Sequence, residues 1–285
     1  LSIITVVRID CLGILVSDNA KKNIAASEGL IYTAMNLGWV IGPLMASYIA
    51  GKYHLSLIFL LSAFFVFMAL ISYKLMRIDS ERRIITHVDN NFFNNLKEFF
   101  KNKDLVKNYI ISGSSSFWWS FIFIYIPLEM LRRGLSENNI ALFLFAVVVP
   151  LFLFEYYLGK LAGRLKFKNA FIYANLFIAL IVFLCFFISN IYIMMGMLVI
   201  GSLGLAVIEP STEAYFFLVA PKNRIEKYYS IYNTTLDVFA IIGKLFIAGI
   251  LAIVAFKYSF LFISMMFIMF AIVAYKMKAI DERIR

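Results

Sequence analysis

The segment "VIEPSTEAY" places two carboxyl groups inside one of the most apolar parts of the chain. Glu209 and Glu213 are four residues apart, so a helix brings them onto the same face. Like charges at this spacing repel, and apolar surroundings disfavour the ionised form of a carboxyl group. This pattern predicts that one of the two carries a proton, and we interpret Glu209 as the proton-coupling residue, supported by Asp237 or Asp10.

Other ionisable residues also interrupt apolar segments, where charged side chains are costly and mark functional sites by default. Counting along each segment places Arg8, Asp10, Glu209 and Asp237 near the middle of the membrane, at 1.5 Å per residue. We interpret these four as substrate-binding residues, because ionisable side chains at this depth mark substrate and ion pathways. A salt bridge to a neighbouring helix is the alternative for Arg8.

Two further carboxyl groups fall closer to one surface. The same counting places Glu155 and Glu213 within about two helical turns of the inner surface. For Glu213, an alternative to a proton-carrying role is a latch at the inner gate, paired with Arg164 or Arg224. Lys244 lies towards the outer surface, where it could pair with a neighbouring helix or bind an anionic substrate.

Aromatic side chains occur at the same middle depth. The run "SGSSSFWW" ends with Trp118 and Trp119, and Tyr125 follows on the same segment. We assign all three to the substrate path. Consecutive helical residues point about 100° apart, however, so the two tryptophans cannot both face one cavity.

The segments that hold these residues are long and apolar. Hydrophobic residues make up 62% of the 285 residues, charged residues make up 15%, and the mean hydropathy is +0.86. Soluble domains are about one quarter charged, so this composition predicts an all-α polytopic membrane protein. Nine segments reach the length of about 20 residues that crosses a bilayer: 2–18, 26–50, 54–76, 108–130, 138–159, 169–189, 191–219, 229–255 and 257–276.

The basic residues fix the predicted orientation. Alternate loops and the C-terminal tail hold 21 of the 27 Lys and Arg residues, whereas the other loops hold Lys52, Arg132, Arg133 and Lys257. This asymmetry follows the positive-inside rule and predicts a plasma (cytoplasmic) membrane protein with a cytoplasmic C-terminus. The net charge of +10 therefore reports membrane topology, and we expect no nucleic-acid partner.

One cytoplasmic connection is long and divides the chain. We predict an N-terminal unit of three helices (1–76), a linker (77–107) and a C-terminal unit of six helices (108–285). In the linker, "NNFFNNLKEFFKNK" places Phe92, Phe93, Leu96, Phe99 and Phe100 on one helical face. This pattern is typical of an amphipathic helix on the inner membrane surface, and a protein-binding site is the alternative.

An internal repeat agrees with that division. A shift of 201 residues aligns Lys21 with Lys222, Asn36 with Asp237 and Gly42 with Gly243. Parallel repeats of this kind build some secondary transporters. Because the second unit has six helices and the first has three, we expect that three N-terminal helices are missing, and a nine-helix protein is the alternative.

The chain lacks the motifs of the enzymes and pumps that we considered. Its two histidines, His54 and His87, lie in or beside loops, and Cys11 and Cys185 are isolated in apolar segments. No zinc-binding spacing and no phosphate-binding GxxxxGK[ST] loop is present. We therefore expect a protein that is not an enzyme and that needs no metal or cofactor beyond a proton gradient.

Two motifs resemble those of the major facilitator superfamily of secondary transporters. Gly29, Gly38, Gly42 and Pro43 match the spacing of the antiporter signature of the family's fifth helix, a packing motif of small residues. The loop "GKLAGRLKFK" resembles the family's cytoplasmic loop signature at Gly159, Arg164 and Lys168, although Gly163 replaces the acidic residue.

The resemblance implies a bundle in which the nine segments correspond to helices 4–12 of twelve. It further implies a monomer that moves a small molecule across the bilayer by alternating access. The drug-antiporter branch of the family implies proton-coupled efflux. Proton-coupled import of a sugar or another polar metabolite, and a truncated protein that does not transport, are the alternatives.

Overall fold

The computed structural model describes residues 12–17, 20, 24–54, 56–75 and 92–280, and all regular structure in these ranges is helical. In chain order the long helices are α1 (Ile24–Lys52), α2 (Ser56–Leu75), α3 (Phe92–Lys101), α4 (Lys103–Ser120), α5 (Ile126–Arg132), α6 (Glu137–Arg164), α7 (Phe167–Cys185), α8 (Ile191–Val219), α9 (Ile225–Leu251) and α10 (Phe256–Tyr275). A π-helical turn (Phe121–Tyr125) joins α4 to α5, and a 3-10 turn (Lys222–Arg224) precedes α9.

Seven stretches of the described chain are long and apolar enough to cross a membrane. They are Ser56–Leu75, Lys103–Arg132, Glu137–Arg164, Phe167–Cys185, Ile191–Val219, Lys222–Leu251 and Phe256–Tyr275. Helix α1 has 29 residues and also exceeds the length that spans a bilayer. These helices confirm the all-α membrane fold, while the first predicted segment, 2–18, lies largely outside the described residues.

Short polar residues begin several of the helices. Asn102 accepts hydrogen bonds from the backbone N–H groups of Asp104 and Leu105 at the start of α4, and Asn190 caps α8 through the N–H of Tyr192. Such caps satisfy N–H groups that have no partner within the first helical turn. The turn after α5 contains Gly134, whose φ of 81° is readily adopted by glycine.

Helix α8 lies at the centre of the bundle, where it contacts α1, α4, α6 and α7. Helix α4 also packs against α9 and α10, and α7 packs against α10. The six spans from Lys103 to Tyr275 therefore form one unit, which we call the six-helix unit. Its interior holds large aromatic side chains, among them Phe117, Trp118 and Phe260.

One end of the bundle carries most of the Lys- and Arg-rich turns, and we call it the basic end. There α4, α7 and α9 begin, and α6, α8 and α10 end. The Tyr215 hydroxyl of α8 donates to the carbonyl of Lys278, and the N–H of Phe167 donates to the carbonyl of Ile280. These contacts tie the tail after α10 to the start of α7 and the end of α8.

Helix α1 crosses the six-helix unit through two glycines. A Cβ added at Gly29 would lie 2.8 Å from the carbonyl oxygen of Glu155, and a Cβ added at Gly159 would lie 3.0 Å from that of Ala25. The added Cβ of Gly159 would also be 3.5 Å from the Cα of Gly29. The two backbones can therefore approach this closely because both residues lack side chains.

Further along α1 the structure differs from the predicted packing motif. A Cβ at Gly38 or Gly42 would meet no atom within 4 Å in the described part of the chain, and Trp39 is 69% exposed. The side chain of Pro43 lies outside the description. Close packing therefore occurs at Gly29, near the basic end, and not at Gly38 or Gly42, where α1 has moved away from the six-helix unit.

The amphipathic helix of the linker is present as α3, although residues 77–91 lie outside the described ranges. Phe99 is fully buried, with Tyr109 of α4 and Tyr228 of α9 at ring-centroid distances of 6.1 and 5.7 Å. Phe93, by contrast, is exposed. The predicted apolar face thus packs against the six-helix unit through Phe99 and, at a ring-centroid distance of 5.6 Å from Tyr109, through Phe100.

We predict that Gly29→Ala destabilises the protein because the new methyl group would press on the backbone of α6 at Glu155. Overpacking of this kind costs about 1–3 kcal/mol, and thermal unfolding of the purified protein in detergent would measure it. Gly38→Ala is the matched control, since the same change there meets open space and gains helix propensity. Equal melting temperatures for the two variants would contradict the close crossing.

Candidate functional site

One buried and one partly buried hydrogen bond lie close together in the middle of the bundle, and they come from different helices. The amide Nδ2 of Asn36 on α1 donates to Oε2 of Glu155 on α6 at 2.8 Å. The indole Nε1 of Trp119 on α4 donates to Oε1 of Glu209 on α8 at 2.7 Å. Four helices, α1, α4, α6 and α8, therefore supply one polar layer inside the bundle.

The two carboxyl groups of this layer contact each other. Glu155 and Glu209 lie within hydrogen-bonding distance, and we call them the carboxyl pair. Glu155 Oε1 is buried without an N–H or O–H donor among the described residues. A hydrogen bond between two carboxyl groups requires a proton on one of them, so the arrangement suits a pair that shares one proton.

A second carboxyl layer lies one helical turn closer to the basic end. The hydroxyl of Tyr229 on α9 donates to Oε1 of Glu213, and the hydroxyl of Tyr32 on α1 also hydrogen-bonds to Glu213. Glu28 of α1 is buried close enough to Glu213 for their charges to interact. We call Glu28 and Glu213 the lower carboxyl groups.

One stripe of α1 connects both layers. Glu28, Tyr32 and Asn36 are spaced four residues apart, so they lie on one helical face. Their partners are Glu213 for the first two and Glu155 for the third. The polar contacts of α1 with the six-helix unit therefore fall on the same two turns as its close glycine crossing.

Aromatic rings surround the lower carboxyl groups. Tyr229 and Tyr232 of α9 pack against Phe216 of α8 at ring-centroid distances of 5.4 and 4.7 Å. The hydroxyl of Tyr232 hydrogen-bonds to Ser112 and Thr212. Gly13 lies against Tyr229, because a Cβ at this glycine would overlap the phenol ring. The basic end is thus filled by protein around Glu213.

The structure brings together two of the site residues that the sequence predicts, Trp119 and Glu209. Trp118 lies elsewhere, since it is fully buried within the six-helix unit against Phe267 and Gly201. Its Nε1 has no hydrogen-bond partner in the described part of the chain. The structure therefore places Trp118 in the packed interior, away from the Trp119–Glu209 contact.

The remaining candidates lie apart from the carboxyl layers or outside the description. Tyr125 belongs to the π-helical turn, and its hydroxyl donates to the carbonyl of Lys244 at 2.6 Å. Asp237 is exposed on α9, and its described neighbour is Tyr109. Arg8 and Asp10 precede the first described residue.

The structure gives two carboxyl groups near the inner surface surroundings that the sequence does not predict. Arg224 forms an ion pair with Glu98 of α3, whereas Glu213 accepts a hydrogen bond from the hydroxyl of Tyr229. Arg164, the other proposed partner, is exposed at the last position of α6. Glu155 is also deeper than counting along its segment predicts, because α6 continues to Arg164 and the Glu155 carboxyl group contacts Glu209.

The three residues of the cytoplasmic loop motif lie in different surroundings. Gly159 provides the crossing with Gly29, whereas Arg164 is exposed. The Nζ of Lys168 lies over the ring of Tyr275, 4.4 Å from its centroid, which is a cation–π geometry. The motif residues are therefore spread over the helix crossing and the surface of the basic end.

Sequence reasoning missed Glu28, Tyr32 and Asn36 as site residues. Glu28 is the fifth residue of α1. A charged residue so close to the end of an apolar segment is easily taken for one that lies at the membrane boundary. The available signal was their common spacing of four residues, together with their position beside the conspicuous Gly29. Within the described residues, no group of three or more His, Cys, Asp or Glu is arranged to hold a metal ion.

Comparison with known proteins agrees with this architecture. The chain matches the family model described as Major Facilitator Superfamily over residues 11–167 and again over residues 119–283. Together these matches cover almost the whole chain. No curated protein was found to match it.

We predict that Trp119 carries a pH-dependent change in intrinsic fluorescence. The chain has three tryptophans, Trp39, Trp118 and Trp119, and Trp119 donates to a carboxyl group. Proton loss from the carboxyl pair changes the charge beside that indole, so Trp119→Phe should abolish the change while Trp118→Phe should keep it. Equal loss in both variants in a fluorescence pH titration would argue against the Trp119–Glu209 contact.

Proposed function

The chain belongs to the Major Facilitator Superfamily, a family of secondary transporters, and we propose that it exports a small molecule in exchange for protons. As a member of this family it is an integral membrane protein that transports rather than catalyses. The proposal concerns three finer points, namely the coupling ion, the substrate and the direction.

The observation that carries the coupling proposal is the carboxyl pair. Glu155 and Glu209 are held at hydrogen-bonding distance inside the bundle, with Asn36 and Trp119 as outer donors. Two negative charges at such a distance in an apolar interior are unfavourable, so the pair binds a proton readily and can release it when its surroundings change. This is the property that a proton-coupled carrier requires.

Helix α1 connects the protonation of the carboxyl pair to conformational change. Asn36 is supplied by α1, whereas Glu155 and Glu209 belong to the six-helix unit. A rocking motion that withdraws α1 removes the donor of Glu155 Oε2. A proton taken up by the carboxyl pair would then replace that lost hydrogen bond, so the position of α1 and the protonation of the pair depend on each other.

The neighbouring side chains favour an amphipathic substrate. Trp119 stacks on Phe123 with ring centroids 5.1 Å apart, beside the carboxyl pair. Aromatic rings and carboxylates together suit a molecule that is apolar over most of its surface and positively charged at one point. Substrate and proton would then compete for the same carboxyl groups, which is the simplest form of exchange.

The proposed orientation in the membrane rests on the distribution of Lys and Arg and on the packing of α1. We place the basic end in the cytoplasm, because Lys- and Arg-rich loops remain on that side. The contacts at Gly29, Gly159 and Glu213 close this end, while α1 diverges beyond Asn36. These contacts support our proposal of a carrier that is closed towards the cytoplasm, and the spacing of Gly29, Gly38, Gly42 and Pro43 supports the efflux direction.

We predict that Glu209→Gln abolishes proton coupling. In inverted membrane vesicles that contain the full-length protein, an imposed proton gradient should drive accumulation of ethidium, an amphipathic cation. The glutamine keeps a polar group for Trp119 but cannot exchange a proton, so the variant should lose gradient-driven accumulation and the pH dependence of transport. Glu155→Gln should act in the same direction.

The matched control is Glu137→Gln, an exposed carboxyl group in the first turn of α6, which should transport normally. Unchanged pH dependence in Glu209→Gln would refute the coupling proposal. Transport of ethidium in the opposite direction under the same gradient would refute efflux while leaving the coupling site in place.

A further inference from the structure

Helix α3 has two sides with different surroundings. On one side Phe99 is fully buried between Tyr109 and Tyr228, and Asn95 is buried beside it. Glu98 forms an ion pair with Arg224 on the turn before α9. These contacts hold α3 against the six-helix unit and fix which way its other side points.

The other side of α3 combines exposed aromatic rings with exposed amines. Phe93 is 75% exposed, and Phe100 is 47% exposed although one part of its ring contacts Tyr109 of α4. At 100° per residue, Lys97 and Lys101 follow these rings around the helix, and both are exposed. No carboxylate pairs with either lysine in the described part of the chain.

The start of α4 shows at which level of the membrane the exposed side of α3 lies. Asn102 ends α3 and caps α4, whose first residue is the exposed Lys103. Because Lys103–Arg132 is a membrane span, its first turn lies at the level where a bilayer has its headgroups. Helix α3 therefore lies beside the membrane surface at the basic end.

We propose that the exposed side of α3 is a binding surface for anionic phospholipid. Phe93 and Phe100 enter the boundary between headgroups and acyl chains, and Lys97, Lys101 and Lys103 contact the phosphate groups. Exposed aromatic surface flanked by lysines is the combination that binds anionic bilayers, whereas an acidic protein would match the lysines alone.

This surface is independent of the proton-coupling proposal, because none of its residues contacts the carboxyl pair or the lower carboxyl groups within the described chain. Lipid bound to this surface would nevertheless affect the packing of the six-helix unit. Lipid bound on one side of α3 stabilises the helix whose other side carries the Glu98–Arg224 ion pair and the Phe99 contact with α9.

Native mass spectrometry of the full-length protein in detergent tests the proposal by titration with phosphatidylglycerol and with phosphatidylcholine of the same acyl chains. We expect the first phosphatidylglycerol to bind at least about tenfold more tightly, since each lysine near an anionic surface contributes a factor of about five. The double variant Lys97→Gln/Lys101→Gln should lose most of this preference, and Phe93→Ser should weaken the binding of both lipids.

The control is Lys166→Gln/Lys222→Gln, which removes the same charge from two exposed lysines at the basic end without touching α3. It should retain the preference. Equal affinity for the two lipids, or equal loss of preference in both double variants, would overturn the proposal. Binding of polyglutamate in place of phosphatidylglycerol would also overturn it, in favour of an acidic protein partner.

Discussion

An isolated carboxylate inside a bundle of apolar helices costs several kcal/mol unless hydrogen bonds or a proton compensate for its lost hydration. The arrangement of this protein depends on that constraint. Glu155 has Asn36 as donor, Glu209 has Trp119 and Glu213 has Tyr229, and each of these donors is supplied by a different helix. Removing α1, α4 or α9 would therefore leave a carboxyl group without its donor, not just an exposed apolar face, and the polar contacts specify which helices must be neighbours.

The glycine crossing and the polar contacts depend on each other. Without side chains at Gly29 and Gly159, the backbones of α1 and α6 come close enough for the amide of Asn36 to reach Glu155 two turns further along. A larger residue at the crossing would lengthen that hydrogen bond. Packing in lipid offers little hydrophobic driving force between helices, so close contact and interhelical hydrogen bonds must together hold α1 in place.

The all-helical fold could be predicted from the sequence because long apolar runs and the placement of Lys and Arg are properties of single segments. Glu209 could be found for the same reason, since its charge interrupts such a run. Glu155 and Asn36 could not be paired in this way, because their contact joins positions 119 residues apart and depends on how two helices cross. The separation of Trp118 from Trp119 required the rotation of α4 about its axis, which hydropathy does not give.

The π-helical turn at Phe121–Tyr125 has a consequence for how this transporter could change over evolution. A π-turn holds one more residue than the α-helical turn it replaces, so it rotates everything beyond it by about 100° without moving what lies before it. Trp119 lies before the turn and Tyr125 lies at its end. The same helix therefore presents two independently oriented surfaces, and substitutions beyond the turn could reshape the end of the bundle opposite the basic end while the register that sets Trp119 against Glu209 stays unchanged.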